Sequence, residues 1–294
     1  MKCKIYGIGT DLGVHIDGER LGAKQLINDI KSFYKDEIIE IDQDEEIIKS
    51  KNLSDHRKNE YEINHLSETI YNKMNELYDK NTFKITIGGD KTSSLPSALS
   101  EINNNDNLGL IWIGATPSFS TFKETSNGNL ENLILSSLTG YEKELATWNK
   151  KYYSEIKTCI VGLRKSDEKE KDNLKYTGIK VFTTDDIKDY GVSKVIYDAL
   201  SISANKTKGV HIVYDLNIID PTISPGVSIP IYNGINEEEA ITINEELLKY
   251  KKYINSIDIV GFNPLRDKER KTEQIAVNLL AQIITEIEKN KYLN

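Results

Sequence analysis

Residues 209–226 read GVHIVYDLNIIDPTISPG, a strand-like run that ends on Asp215 and passes into a loop carrying Asn217 and the turn pair Asp220-Pro221. The run is too apolar for a strand with one wet face, so it fits a strand covered by helices on both sides, as in a parallel sheet. Ligands of such sheets collect beyond the carboxyl ends of the strands. An Asp-x-Asp there is a typical clamp for a divalent cation, which makes the amide at Asn217 a question for the rest of the chain.

Seven further runs share this character: 3–9, 37–41, 83–89, 108–114, 157–163, 179–183 and 258–262. Helical spacing predicts helices at about 22–34, 60–80, 93–103, 166–176, 191–204, 236–251 and 269–290. Strands that alternate with helices predict a three-layer α/β/α sandwich around a mostly parallel sheet of about eight strands, in one domain over 1–294. The charged stretch 42–59, DQDEEIIKSKNLSDHRKN, lacks a clear period and reads as a solvated loop or a short exposed helix.

With 294 residues and 38% hydrophobic content, the chain can bury a sizeable core. A formal net charge of -8 argues against nucleic acid or an anionic membrane as partner. No apolar run approaches the ~18 residues of a membrane span, and MKCKIYGIGTD enters a strand pattern without a signal peptide. Cys3 and Cys159 fall in strand-like runs, as buried reduced thiols do, and a cytoplasmic location is expected. Trp112, in mid-strand, and Trp148 read as packing residues.

The strand-end loops carry a resemblance. TDLGVHIDGERLGAKQLI (10–27), NLGLIWIGATPSFSTFKETSNGNL (107–130), GLRKSDEKE (162–170) and YDLNIIDPTISPG (214–226), with GGDK (88–91) and GFNP (261–264), resemble the arginase branch of the ureohydrolase family in order and spacing. The resemblance implies an eight-stranded α/β fold, a site for two Mn2+ that hydrolyses a guanidinium group, and trimeric or hexameric assembly. Two bridged divalent ions supply hydroxide near neutral pH by acidifying a shared water.

In the family the ions are held by two histidines and four aspartates. The matched positions here are Lys91, Gly114, Thr116, Ser118, Asp215 and Asn217, and only Asp215 keeps a family ligand. Glu131 stands where the family has a proton-shuttling histidine, and Gly261 where it has the acid that pairs with the guanidinium. At the amino-acid end the matched positions are Ser120, Thr125, Asn127, Asn129, Asp167 and Glu170, all able to hydrogen-bond. Asp167 and Glu170 could face an α-ammonium, or simply begin a charged helix.

The four histidines, His15, His56, His65 and His211, all miss the matched ligand positions. Each reads as a surface or structural residue, although His15 borders the expected pocket. Lys91 brings an ammonium beside Asp215 and Asp90, where it would offset buried negative charge and repel a metal ion, unless it turns outward to solvent.

Three functions emerge as expectations. The first is a metal-free pseudoenzyme that binds an amino acid or guanidino ligand, or acts by interaction. The second is a hydrolase whose metal site is rebuilt from residues such as Asp90, Glu131, Asp215 and Asp220. The third is a scaffold or regulatory subunit in an oligomer with an active family member.

Overall fold

The computed structural model describes residues 1–14, 16–41, 45–50, 52, 56–125 and 127–289. In chain order these form β1 (Lys2–Ile8), α1 (Glu19–Ile30), β2 (Ile38–Glu40), α2 (Glu45–Lys49), α3 (Glu60–Glu76), β3 (Thr82–Gly88), α4 (Ser94–Asn104), β4 (Gly109–Ile113) and α5 (Ile134–Thr139). There follow β5 (Thr158–Leu163), α6 (Glu168–Lys175), β6 (Lys180–Thr183), α7 (Thr184–Tyr190), α8 (Val192–Ser203), β7 (Val210–Asp215), α9 (Glu237–Lys249), β8 (Ile254–Val260) and α10 (Lys271–Glu288).

The eight strands form one sheet in the order β2-β1-β3-β8-β7-β4-β5-β6, and every pairing is parallel. All six residues of β7 are buried, as a central strand between two helix layers requires. Side chains alternate between the faces. Ile5, Ile85, Ile111, Val161, Ile212 and Ile257 pack against α1, α8, α9 and α10. Tyr6, Leu110, Trp112, Ile160 and Val213 pack against α3, α4 and α5. The sheet is therefore the middle of a three-layer sandwich.

Each predicted strand is present, with shifted ends; β8 begins four residues before the expected 258. The predicted helices are present too, but α5 and α7 were not expected. Both are short, with six and seven residues, so an apolar period hardly develops. Helix α7 is marked instead by a capping box, with Thr183 and Asp186 each accepting from the other's backbone N–H. Within 42–59, α2 is a single short helix, and residues 42–44, 51 and 53–55 lie outside the described residues.

Candidate functional site

Four neighbouring strands, β3, β8, β7 and β4, bring their carboxyl ends together, and the loops leaving those ends build the site. After β3 the chain turns tightly: the Asp90 carboxylate caps a 3-10 turn over Lys91–Ser93 by accepting from the Thr92 N–H. This capping aims Lys91 across the sheet ends instead of outward. Its side chain is 6% exposed, so the outward-turned reading does not hold. The ammonium lies 3.7 Å from Asp215 Oδ2, 3.5 Å from Glu131 Oε2, and donates to Thr116 Oγ1 at 3.0 Å.

Asp215 closes β7, and its Oδ1 accepts from the Asn217 N–H at 2.9 Å. The Asn217 amide is engaged in turn, since its Oδ1 accepts from the Ala115 N–H at 2.8 Å and so ties the loop after β7 to the loop after β4. Trp112 reinforces that loop by donating Nε1 to the Thr116 carbonyl at 3.0 Å. After β8, Gly261 sits at φ +89°, and a Cβ there would meet Asp215 Oδ1 at 2.5 Å. A glycine allows this close approach where other residues would be strained.

These groups border a cavity of about 50 Å3, lined also by Val14, Asn132 and Ser228 and by a residue that the sequence reading passed over, Glu19. Glu19 is the first residue of α1 and is buried. Its signal in the sequence was an acid opening a helix just after a glycine-bearing strand-end loop. The volume holds a few water molecules, not an amino acid.

The charges are unequal. Burial alone would lower the Lys91 pKa, but the carboxylates of Glu131, Asp215, Glu19 and Glu170 outweigh it and hold the ammonium charged well above its ordinary range. The carboxyls move up as well, chiefly because they are buried. Burial, opposed by Lys91 and reinforced by Asp90 and Asp215, raises Glu131 to about 7. Burial raises Asp215 despite Lys91. Burial and the charge of Glu131 raise Glu19, which keeps Ser228 as a hydrogen-bond partner.

Other predicted residues stand differently. Asp167 and Glu170 form the capping box of α6, and Glu170 Oε1 also accepts from the Phe119 N–H at 3.2 Å. Both acids thus open a charged helix, and Glu170 also acts on the Lys91 charge. The exposed Asn127 gathers its neighbours, with Oδ1 accepting from the Asn129 N–H at 3.0 Å, Asn132 Nδ2 at 3.2 Å and Thr125 Oγ1 at 3.4 Å. The Oγ atoms of Ser118 and Ser120 and Asn129 Oδ1 are buried with no hydrogen-bond partner among the described residues.

Asp220, placed in the rebuilt metal set, accepts from Thr222 and the Gly234 N–H and does not line the cavity. Asp90 accepts from Gly13 and Thr92. Among the described residues, no group of three or more His, Cys, Asp or Glu side chains stands where it could hold a metal ion.

His15 lies outside the described residues. His56 and His65 are exposed, the latter stacked on Tyr61 with ring centroids 5.8 Å apart. His211 is fully buried. Cys3 and Cys159 are buried, and burial pushes the Cys159 thiol up to about 11. No helix among the described residues is long and apolar enough to cross a membrane.

The fold and the convergence of charged groups at the ends of the central strands define an open parallel α/β protein with its site at the carboxyl edge of the sheet. Residues 1–285 match the family model described as the arginase family, and the chain belongs to that family. It is 30% identical over 236 residues to an arginase of Bacillus subtilis, covering 77% of this chain and 79% of the relative. The crystal structure of arginase from Bacillus subtilis superimposes with a TM-score of 0.83 at 25% identity, covering 97% and 98% of the two chains. The structure of Entamoeba histolytica arginase in complex with L-ornithine shares the fold, with a TM-score of 0.85, 23% identity and coverage of 96% and 97%.

Proposed function

We propose that this chain is a metal-free member of the arginase family that does not hydrolyse guanidinium groups. The observation that carries this reading is the Lys91 ammonium, set between Glu131 and Asp215 where the family resemblance places a metal-ligating histidine. A fixed positive charge repels a divalent ion, and it already serves the carboxylates that would otherwise attract one.

The donors around it do not fit two Mn2+. Hard divalent ions need several anionic or imidazole ligands. Here Gly114 offers no side chain, Thr116 and Ser118 offer neutral hydroxyls, and the Asn217 oxygen is engaged by Ala115. Urea-forming chemistry through a bridged hydroxide has no support in this set.

What the site retains is capacity for polar contact. Lys91, Glu19, Glu131, Thr116, Asn132 and Ser228 line the cavity with polar groups, and an amino acid or guanidino compound is the class of ligand that the arginase fold suggests. The buried thiols suit a reducing compartment such as the cytoplasm.

Elemental analysis after incubation with Mn2+ and removal of free metal tests the reading, alongside urea release from arginine and agmatine. We expect metal far below stoichiometry and no urea. Close to two ions per chain, or sustained urea formation, would overturn it.

A further inference from the structure

The segment 219–235 leaves the end of β7, passes over the cavity and returns to its own root. Its neck is closed by the Asp220 N–H donating to the Ile235 carbonyl at 2.9 Å and the Ile235 N–H donating to the Ile218 carbonyl at 3.1 Å. Its far bend is pinned separately. The Gly226 N–H donates to Thr272 Oγ1 at 2.7 Å, and Asn263 Nδ2 donates to Ser228 Oγ at 2.9 Å.

Between these anchors lies 229–233. Ile229 and Ile231 line the cavity, while Tyr232 is 63% exposed. Asp220 at the neck accepts from the Asn233 backbone N–H, and a side chain from another part of the fold holds the rest of this stretch. Arg164, the residue after β5, donates Nε to the carbonyls of Ile231 and Tyr232 at 3.3 and 3.1 Å, and Nη2 to Ile231 again at 2.6 Å.

The same guanidinium grips the root of the loop. Nη1 donates to the Ile218 carbonyl at 3.0 Å and Nη2 to the Asn217 carbonyl at 2.7 Å. A planar fork of five donors suits this bridging of carbonyls on both sides of a loop. Arg164 meets main-chain carbonyls here and, among the described residues, no carboxylate at hydrogen-bond distance; Asp220 and Asp215 act on its charge from further away.

We propose that residues 229–233 are a flap over the cavity, that Arg164 is its latch, and that release of the latch admits solvent or a small polar ligand to Lys91, Glu131 and Asp215. This rests on the hydrogen bonds and the cavity lining alone and holds whether or not the site binds metal. It also explains how a cavity of about 50 Å3 could receive anything larger than water: the flap must lift first.

The test is trace acetylation of the full-length protein with an N-hydroxysuccinimide ester, read lysine by lysine by mass spectrometry. Lys84 is the control. It is as buried as Lys91 but pairs with Glu101 elsewhere in the core. In the wild type both should react far more slowly than surface lysines. Arg164→Ala should raise the Lys91 rate about tenfold, as loss of several charge-assisted hydrogen bonds predicts, and leave Lys84 unchanged. Arg164→Lys, which keeps the charge but loses the fork, should give a smaller rise at Lys91 alone.

Equal Lys91 rates in wild type and variants would overturn the proposal. So would a rise at Lys84 in step with Lys91, which marks general loosening. If Arg164→Ala does not fold, the same comparison in Arg164→Lys decides.

Discussion

The Lys91 ammonium nitrogen lies 3.7 Å from Asp215 Oδ2, linking the turn after β3 to the last residue of β7 across the end of β8. Removing one partner of a buried ion pair leaves the other charge unpaired, at a cost of about 3 kcal/mol or more. Lys91→Ala should lower stability by that order in urea unfolding. Lys91→Ala combined with Asp215→Asn should cost clearly less than the sum of the two single changes. Strict additivity would show that the two groups do not interact.

Glu131 gives the site a pH signature. Its carboxyl is raised to about 7 in the fold, chiefly by burial. The folded state therefore holds a proton that the unfolded chain releases at an ordinary carboxyl pKa near 4.3. A raised carboxyl pKa stabilises the fold at acidic pH, and this contribution declines as pH rises from about 4.5 through 7. Glu131→Gln, which cannot ionise, should flatten the fall of the melting temperature across that window. A variant that keeps the full wild-type slope would assign the effect to other acids.

The sheet was legible because its central strands are apolar at nearly every position, and burial on both faces imposes that pattern. The 210–215 run is wholly buried. The loops that carry Lys91, Thr116 and Asn217 were legible too, since each follows a strand whose apolar run ends plainly. Partners were not. That Asn217 binds the Ala115 N–H, or that Arg164 reaches carbonyls more than 50 residues away, depends on how strand ends converge in space. Asp167 and Glu170 show the limit from the other side. Their spacing suits both a ligand and a helix cap, and only the fold shows the cap.

Gly261 predicts that an acid cannot simply be put back where the family resemblance places one. Its φ of +89° disfavours any side chain, and a Cβ would collide with Asp215 Oδ1 at 2.5 Å. Gly261→Glu should therefore destabilise the protein by about 2 kcal/mol or more. Gly261→Ala should carry much of the same cost, since strain and collision both begin at Cβ. An unchanged melting temperature for either variant would mean that β8 ends differently from the structure described.

A second buried cluster invites a catalytic reading that its surroundings deny. Ser256 Oγ and His211 Nδ1 share a hydrogen bond of 2.7 Å, and His211 Nε2 lies 3.2 Å from Asp258 Oδ2, in the order nucleophile, base, acid. Ser97 on α4 donates to Asp258 Oδ1 at 2.7 Å, so the cluster fastens that helix to β7 and β8. All four residues are at most 1% exposed. A nucleophile with no route to a substrate cannot work, whatever its hydrogen bonds. Ser256 should thus resist a fluorophosphonate in the folded protein. Asp258→Ala should cost about 3 kcal/mol, because it leaves His211 and Ser97 without their shared partner. Stoichiometric labelling of Ser256 under native conditions would show that this part of the core opens.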